Sequence, residues 1–133
     1  MYLKEDMINE KEILHILKTD AKGRYEYSIK RIADNEDFWV IGDDDGIRTY
    51  SDDNGNIIFP IWPYQEFARL CCIGEYNKCT PERFTLDELI EEYLPVFERD
   101  KYKLTILPLP SDNGSIVDVT SFRNDLEEEL DKY

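Results

Sequence analysis

The sequence is poor in side chains that bind transition metals or act as nucleophiles. It has one histidine, His15, and three cysteines, Cys71, Cys72 and Cys79, among 133 residues. Four such ligands are the minimum for structural zinc, but adjacent cysteines point in different directions on a helix and no C-x-x-C pair occurs. A glycine-rich phosphate loop and the G-x-S-x-G and H-E-x-x-H motifs are also missing. We therefore expect no metal, no cofactor and no catalytic residues, with buried cysteines and a surface histidine.

Basic residues are few, and long apolar runs are missing. Lysine and arginine total 16 against 30 acidic residues, which gives a net charge of −14. Binding to nucleic acid or to anionic lipid requires clustered positive charge. No apolar run approaches the ~20 residues of a membrane-spanning helix, and the N-terminus MYLKEDMINEKE is too charged for a signal peptide. With an odd number of cysteines as well, we expect a cytoplasmic protein that binds neither nucleic acid nor membranes.

The composition is otherwise that of a folded protein. Hydrophobic residues make up 41% of the chain and aromatic residues 13%, which is enough for an ordinary core. A chain of 133 residues has room for one core but not for two. We expect a single domain, in which residues 1–19 form an N-terminal helical extension and residues 20–133 form the core.

The central stretch, residues 38–63, predicts three short strands. Residues 38–42, 47–51 and 57–62 are rich in the β-branched and aromatic side chains that strands favour. The sequences DDDG and DDNG lie between them, and Asp-Gly and Asn-Gly are typical of tight hairpin turns. The third strand is apolar on both faces, so we expect it at the centre of the sheet or under a helix. These features predict a three-stranded antiparallel meander.

Helices are predicted before the meander. Residues 3–18 have approximate helical spacing of their apolar side chains. Residues 20–35 form a clearer case, because Asp20 is a good N-cap and an apolar stripe follows it. The residues of this stripe are Tyr25, Ile29, Ile32 and Ala33.

After the meander, helical and extended patterns alternate. Residues 63–72 predict a short helix, and residues 73–83 predict an ordered loop. Thr85 and Glu88 form a capping box that opens a further helix. Pro95 should end or kink this helix, since proline has no N–H and clashes with the preceding turn.

The C-terminal part predicts a hairpin followed by a helix. Strands are expected at residues 103–109 and 116–119, and Thr120 or Ser121 is expected to cap the last helix. The overall prediction is an α+β fold. Its mostly antiparallel sheet has about five strands built on the central meander, and the helices pack on one face.

The two acidic turns resemble calcium-binding loops in composition, since calcium prefers clustered oxygen ligands. Counting from Asp43, however, the twelfth residue is Asn54, where the EF-hand pattern requires glutamate. Aspartate and asparagine are also the usual residues of tight turns. We therefore interpret both segments as turns, and a small-ligand or divalent-cation sensor stays open as an alternative function.

Large aromatic side chains on both faces of the meander, next to the acidic turns, predict a surface for a protein partner. The favoured function is a non-enzymatic acidic protein-interaction module, in a sharper form an immunity protein that binds a basic partner. An enzyme of unknown type is a third hypothesis. The residues predicted to contact the partner are Trp39, Tyr50, Trp62, Tyr64, Asp44, Asp45 and Asp53.

Several of these motifs together resemble a known family. The stretches RYEYSIKRIADNEDFWVI, DDNGNIIFPIWPYQEFARLC and LDELIEEYLP resemble the bacterial domain of unknown function 2750 over about residues 20–133. A fainter similarity is to the N-terminal domain of SseB-like proteins, in which a D-x-D-G turn precedes a strand. The resemblance implies an α+β fold in a small bacterial cytoplasmic protein, and it implies no activity and no catalytic residues.

Overall fold

The computed structural model of the chain describes residues 8–132, which contain both helices and strands. The helices are α1 (Glu10–Leu17), α2 (Ala21–Asn35), α3 (Gln65–Leu70), α4 (Leu86–Glu88), α5 (Leu94–Arg99) and α6 (Val119–Leu130). The strands are β1 (Asp37–Asp43), β2 (Gly46–Ile47), β3 (Tyr50–Ser51), β4 (Ile57–Ile61), β5 (Thr80–Thr85), β6 (Lys103–Ile106) and β7 (Ser115–Asp118). The same range also contains a 3₁₀ turn at Gly74–Tyr76 and a π-helical turn at Leu89–Tyr93.

The two helices predicted before the meander are confirmed as α1 and α2. Asp20 caps α2 as expected, because its carboxylate accepts a hydrogen bond from the Gly23 N–H at 2.8 Å. The first part of the helix predicted for residues 3–18, residues 3–7, lies outside the described residues. The apolar stripe of α2 faces the core, with buried Ile29, Ile32 and Ala33.

The three-stranded meander predicted for residues 38–63 is wrong, because its middle strand is divided between two sheets. β1 and β2 form one antiparallel hairpin and β3 and β4 form another, while β2 and β3 belong to different sheets. The chain leaves the first hairpin after Arg48, whose N–H donates to the Ile41 carbonyl at 2.9 Å. Both turns were predicted correctly. Strands from later in the chain complete the two sheets: β5 pairs with the second edge of β1, and β6 pairs with the second edge of β4.

The first sheet has the order β2-β1-β5 and contains a strand that the sequence did not reveal. β5 lies partly within the segment predicted as a loop, residues 73–83, and pairs antiparallel with β1 from Asp37↔Thr85 to Gly42↔Thr80. Its sequence TPERFT has no apolar alternation, and it includes a proline, which strands tolerate only at edges or ends. The strand forms because β1 offers it a complete hydrogen-bonding partner.

The second sheet has the order β3-β4-β6-β7. β4 lies in the interior of this sheet, as predicted, and pairs parallel with β6, whereas the other pairs are antiparallel. The two sheets meet where Trp39 and Trp62 exchange backbone hydrogen bonds of 2.8 and 2.9 Å. The α+β class and the mostly antiparallel pairing are confirmed. The described residues form seven strands in two sheets, where about five in one sheet were expected.

The helix that begins at Leu86 continues past Pro95. The predicted capping box is confirmed: Thr85 Oγ1 accepts from the Glu88 N–H at 3.1 Å, and Glu88 accepts from the Thr85 N–H at 2.9 Å. The helix was expected to end or kink at Pro95, but it passes through a π-helical turn into α5 and ends at Arg99. Pro95 lies in the first turn of α5, where the missing N–H is tolerated.

The cap of the last helix also differs from the prediction. Asp118, rather than Thr120 or Ser121, is the N-cap of α6, and its carboxylate accepts from the Ser121 N–H at 2.7 Å. The helix therefore starts at Val119, which is buried. A carboxylate satisfies the first N–H groups as well as a hydroxyl does, and it also interacts favourably with the positive end of the helix dipole.

Two apolar clusters form the core. The larger one lies between the sheets and helices α2, α5 and α6, and it includes Phe59, Ile61, Leu104 and Ile106 from the second sheet. The smaller one joins α1, α3 and the end of β1, and it includes Ile16, Ile41, Trp62 and Phe67. Within residues 8–132, no helix is both long enough and apolar enough to cross a membrane.

Candidate functional site

A pocket of about 520 Å³ opens on the second sheet. Its floor is formed by Tyr50, Ile58, Thr105 and Ile116, one from each of the four strands. Tyr50 pairs with Ile58 and Thr105 pairs with Ile116, so each pair projects from the same side of the sheet. Helices α2, α5 and α6 cover the opposite side. We call this pocket-bearing side the open face.

Two segments form the walls of the pocket. One is the chain that follows α3, with Cys71, Ile73, Glu75 and Tyr76, and the other is the β6–β7 loop, with Leu109, Pro110 and Asn113. The Tyr76 ring contacts the Tyr50 ring in a tilted arrangement, with 5.4 Å between ring centroids and 49° between ring planes. Ile73 in the first wall is 55% exposed and Ile116 in the floor is 48% exposed, so two large apolar side chains face solvent.

The ionic side chains that line the pocket are acidic. They are Asp52, Asp53 and Glu75, and no lysine, arginine or histidine is among the described lining residues. Asp52 accepts from the Asn54 and Asn56 N–H groups at 2.9 Å. Hydrogen bonds from the Asn56 side chain and backbone hold the pKa of Asp52 below its usual range, with a smaller contribution from Lys103. The rim therefore carries negative charge at neutral pH.

The thiol in the pocket is protonated at neutral pH. Burial raises the pKa of Cys71 to about 11, and its Sγ donates to the Pro108 carbonyl at 3.3 Å. Burial, followed by the neighbouring Cys71 thiol, also raises the pKa of Tyr50. His15 is exposed on α1, as predicted, and does not line the pocket. A thiol that is neutral and has no imidazole beside it is a poor nucleophile.

The β6–β7 wall is held by Arg24 from α2, which is 2% exposed. Its Nε donates to the Leu107 carbonyl at 3.1 Å and its Nη1 to the Thr19 carbonyl at 2.8 Å. Its Nη2 makes an ion pair with Asp112 at 2.9 Å, without the geometry of a hydrogen bond. This role was not predicted from the sequence, because an arginine on a helix is usually exposed.

The structure distributes the predicted partner-contact residues over several places. Tyr50 and Asp53 line the pocket, whereas Asp44 and Asp45 are exposed in the separate β1–β2 turn. Trp62 is fully buried, and its Nε1 donates to the Pro108 carbonyl at 2.9 Å. The prediction that Trp62 contacts a partner is therefore wrong for this structure. Trp39 and Tyr64 are half-buried against the smaller apolar cluster.

Several lining residues were missed by the sequence analysis. Tyr76 and Glu75 lie in the segment interpreted only as an ordered loop, and the contact of Tyr76 with Tyr50 in β3 depends on how α3 docks. Ile116 belongs to a predicted strand, in which Val117 and Ile116 alternate between the two faces. The alternation predicts that Ile116 and Val117 lie on opposite faces of the sheet, but it does not predict which of the two faces is covered by helices.

The two acidic turns are organised by their own hydrogen bonds. Asp43 accepts from the Asp45 N–H at 2.9 Å and from Arg48 Nε at 2.8 Å. In the second turn, Asp52 accepts from the Asn54 N–H at 2.9 Å. Among residues 8–132, no group of three or more histidine, cysteine, aspartate or glutamate side chains is placed to hold a metal ion. The leading aspartate of each turn thus has a structural role.

Comparison with known proteins places the chain in a family. No curated protein matched the sequence. The model of the family described as "Protein of unknown function (DUF2750)" matches residues 25–126, which is most of the 133-residue chain. The matched range contains the residues that form the floor and both walls of the pocket. The chain belongs to the DUF2750 family.

Proposed function

We propose that the protein is a non-enzymatic protein-interaction module of the bacterial cytoplasm, and that it binds its partner with the open face of the second sheet. The observation that carries this proposal is the pocket itself, which combines an apolar floor, a tyrosine pair and an acidic rim. Ligand pockets and protein interfaces share this arrangement of an apolar centre within polar groups.

The exposed apolar residues support a protein partner. Ile73 lies in one wall and Ile116 in the floor of the same pocket, where one partner surface would cover both. Tyrosine is enriched at interface hot spots because a large apolar ring carries a polar hydroxyl. Burial of two isoleucines and two tyrosines would supply the centre of a small interface.

The charge of the chain supports a basic partner. The net charge of the chain is −14, and three of its acidic residues, Asp52, Asp53 and Glu75, lie at the rim of the pocket. Charge complementarity speeds the encounter of two proteins and disfavours wrong partners. In its sharper form the proposal is an immunity protein that neutralises a basic toxin.

The chemistry of the pocket and of the cysteines supports binding in the cytoplasm rather than catalysis. The Cys71 thiol stays protonated near neutral pH because burial raises its pKa to about 11. Cys71, Cys72 and Cys79 are all free thiols, which is the usual state in a reducing compartment.

The test is affinity capture of the partner with wild-type protein and two variants. Ile73→Asp places a charge on the pocket wall, whereas Leu14→Asp changes an equally exposed leucine on α1. We expect wild type and Leu14→Asp to retain the same protein, and Ile73→Asp to retain at least about tenfold less of it, as for loss of a hot-spot residue. Equal retention by both variants, or no retention at low and high salt, would refute the proposal.

A small-ligand sensor is the second candidate, and the size of the pocket favours it. A volume of about 520 Å³ lies within the range of small-molecule sites. In that case protein purified without denaturant should release a low-molecular-weight compound on unfolding, detectable by mass spectrometry. The cation version predicts a melting temperature that millimolar calcium raises and an equal ionic strength of sodium does not.

A further inference from the structure

We propose that the pocket receives an arginine side chain of the partner, with the guanidinium group between the tyrosine pair and the acidic rim. This inference rests on the proposed function and adds the chemistry of the bound group. Its basis is the arrangement of Tyr50, Tyr76, Asp53 and Glu75 around one cavity.

The first argument is the sign of the charge in the pocket. The described lining residues include three carboxylates and no cationic side chain. The pKa of Tyr50 is raised by burial, so its hydroxyl stays neutral and can donate as well as accept hydrogen bonds. Lys103 and Arg48 lie outside the lining but interact electrostatically with Asp52 and Tyr76, and Arg48 is paired with Asp43. A bound cation would therefore meet three carboxylates and no cation in the pocket wall itself.

The second argument is the tyrosine pair. The two rings touch at 5.4 Å between centroids, and both line the cavity. A guanidinium group is planar and weakly hydrated, and it stacks on aromatic faces while its N–H groups bind carboxylates. A lysine ammonium is a compact and strongly hydrated charge, so it would use the rings less well.

The third argument is the apolar floor. Ile58 is 6% exposed and lies beside Tyr50, and Ile116 is 48% exposed on the same face, in the edge strand β7. The methylene stem of an arginine can lie on such a surface while its charged end reaches polar groups. The floor would contact the methylene stem of the arginine, the tyrosine rings the plane of its guanidinium group, and the rim carboxylates its N–H groups.

The test is an NMR titration of the full chain with Nα-acetyl-arginine N-methylamide, compared with the citrulline analogue. The citrulline probe has nearly the same shape but no charge. We expect the arginine probe to shift the amides of Tyr50, Asp53, Glu75 and Tyr76 with millimolar affinity. The citrulline probe should bind about tenfold more weakly, since charge-assisted hydrogen bonds are lost.

Two variants separate a local effect from general electrostatics. Glu75→Gln removes a carboxylate of the pocket, and Glu128→Gln removes an exposed carboxylate from α6. We expect the first to weaken the arginine probe severalfold and the second to leave its affinity unchanged. Equal weakening by both variants would overturn the inference.

The remaining outcomes distinguish this inference from the proposed function. Equal affinity for the arginine and citrulline probes, or no shift in the pocket with either, would overturn the arginine assignment. The proposed function would still stand if capture of the partner depended on Ile73. If free L-arginine bound more than tenfold tighter than the blocked probe, the pocket would belong to a free amino acid, which also overturns the inference.

Discussion

At the scale of single residues, Arg24 connects α2 to the loop that forms one wall of the pocket. Its guanidinium group is buried and reaches the Thr19 and Leu107 carbonyls and the Asp112 carboxylate. Leu107 has a φ of +50°, a conformation that non-glycine residues rarely adopt. The hydrogen bond to its carbonyl helps to hold the chain in that conformation as it leaves β6.

The first prediction concerns the loss of this arginine. Arg24→Met keeps much of the apolar stem, but it leaves the Leu107 and Thr19 carbonyl groups without their donor and the Asp112 carboxylate without its ion-pair partner. We expect the free energy of unfolding to fall by about 3 kcal/mol in urea titrations. Arg99→Met, at a position that is 71% exposed, should change it by less than about 0.5 kcal/mol. Equal effects of the two variants would contradict the role assigned to Arg24.

The second prediction concerns pH. A hydrogen bond from the Gly114 N–H and then the Arg24 guanidinium hold the pKa of Asp112 below its usual range. The unfolded chain therefore takes up a proton on this group at higher pH than the folded chain. The stabilisation is present above the unfolded pKa of about 4 and is lost as the pH falls through the lower folded pKa.

Asp112→Asn tests this linkage, because an amide does not titrate in this range. We expect the variant to be less stable than wild type at pH 7 and to lose less stability between pH 5 and pH 2. Urea titrations across that range measure both quantities. A loss as steep as that of wild type would show that Asp112 does not contribute to the acid sensitivity.

At the scale of elements, the helix that begins at Leu86 depends on a local motif at its start and on a wider turn in its middle. The capping box fixes the beginning of α4 by two reciprocal hydrogen bonds. The π-helical turn then lets the Leu94 N–H donate to the Leu89 carbonyl just before Pro95. The continued helix places Leu94 and Phe97 in the larger apolar cluster.

The third prediction follows from the capping box. Thr85→Ala removes the hydroxyl that accepts from the Glu88 N–H, and it should lower the free energy of unfolding by about 1 kcal/mol. Thr120→Ala changes an exposed threonine in α6, whose cap is Asp118, and should have a much smaller effect. Thr85→Ser should retain most of the stability. Chemical denaturation of the three variants tests whether the cap stabilises the fold.

The elements that depend on local chemistry could be predicted from the sequence. The cap at Asp20, the capping box at Thr85 and both acidic turns use bonds between residues at most five positions apart. β5 and the division of the predicted middle strand could not be predicted, because distant partners determine them. The continuation past Pro95 was missed because a π-helical turn, which the sequence pattern does not indicate, places this proline in the first turn of α5, where its missing N–H is tolerated.

At the scale of the whole molecule, the excess of acidic residues opposes the compact state. A net charge of −14 on a chain of 133 residues produces repulsion that the ion pairs offset only in part. The residues of the candidate site could be predicted from the sequence only in part, because tertiary packing decides which of them are exposed. Tyr50 and Asp53 were identified, but the burial of Trp62 depends on the packing of α3 against the chain after β6.

The fourth prediction concerns salt. Raising sodium chloride from about 10 mM to 1 M shortens the Debye length from roughly 30 Å to 3 Å and screens repulsion between like charges. We therefore expect the urea midpoint to rise with salt at neutral pH. A falling midpoint would mean that the exposed ion pairs contribute more than the repulsion does.

The parallel pairing of β4 with β6 has a consequence for how the binding site comes into being. The two strands join Ile58 to Lys103 and Ile61 to Ile106, so the chain between them must close a long loop before they can pair. A nascent polypeptide that has emerged from the ribosome only as far as α5 holds Tyr50, Ile58 and Tyr76 but has no Thr105 or Ile116 beneath them. The open face that we propose to bind the partner therefore forms only after β6 and β7 have been synthesised.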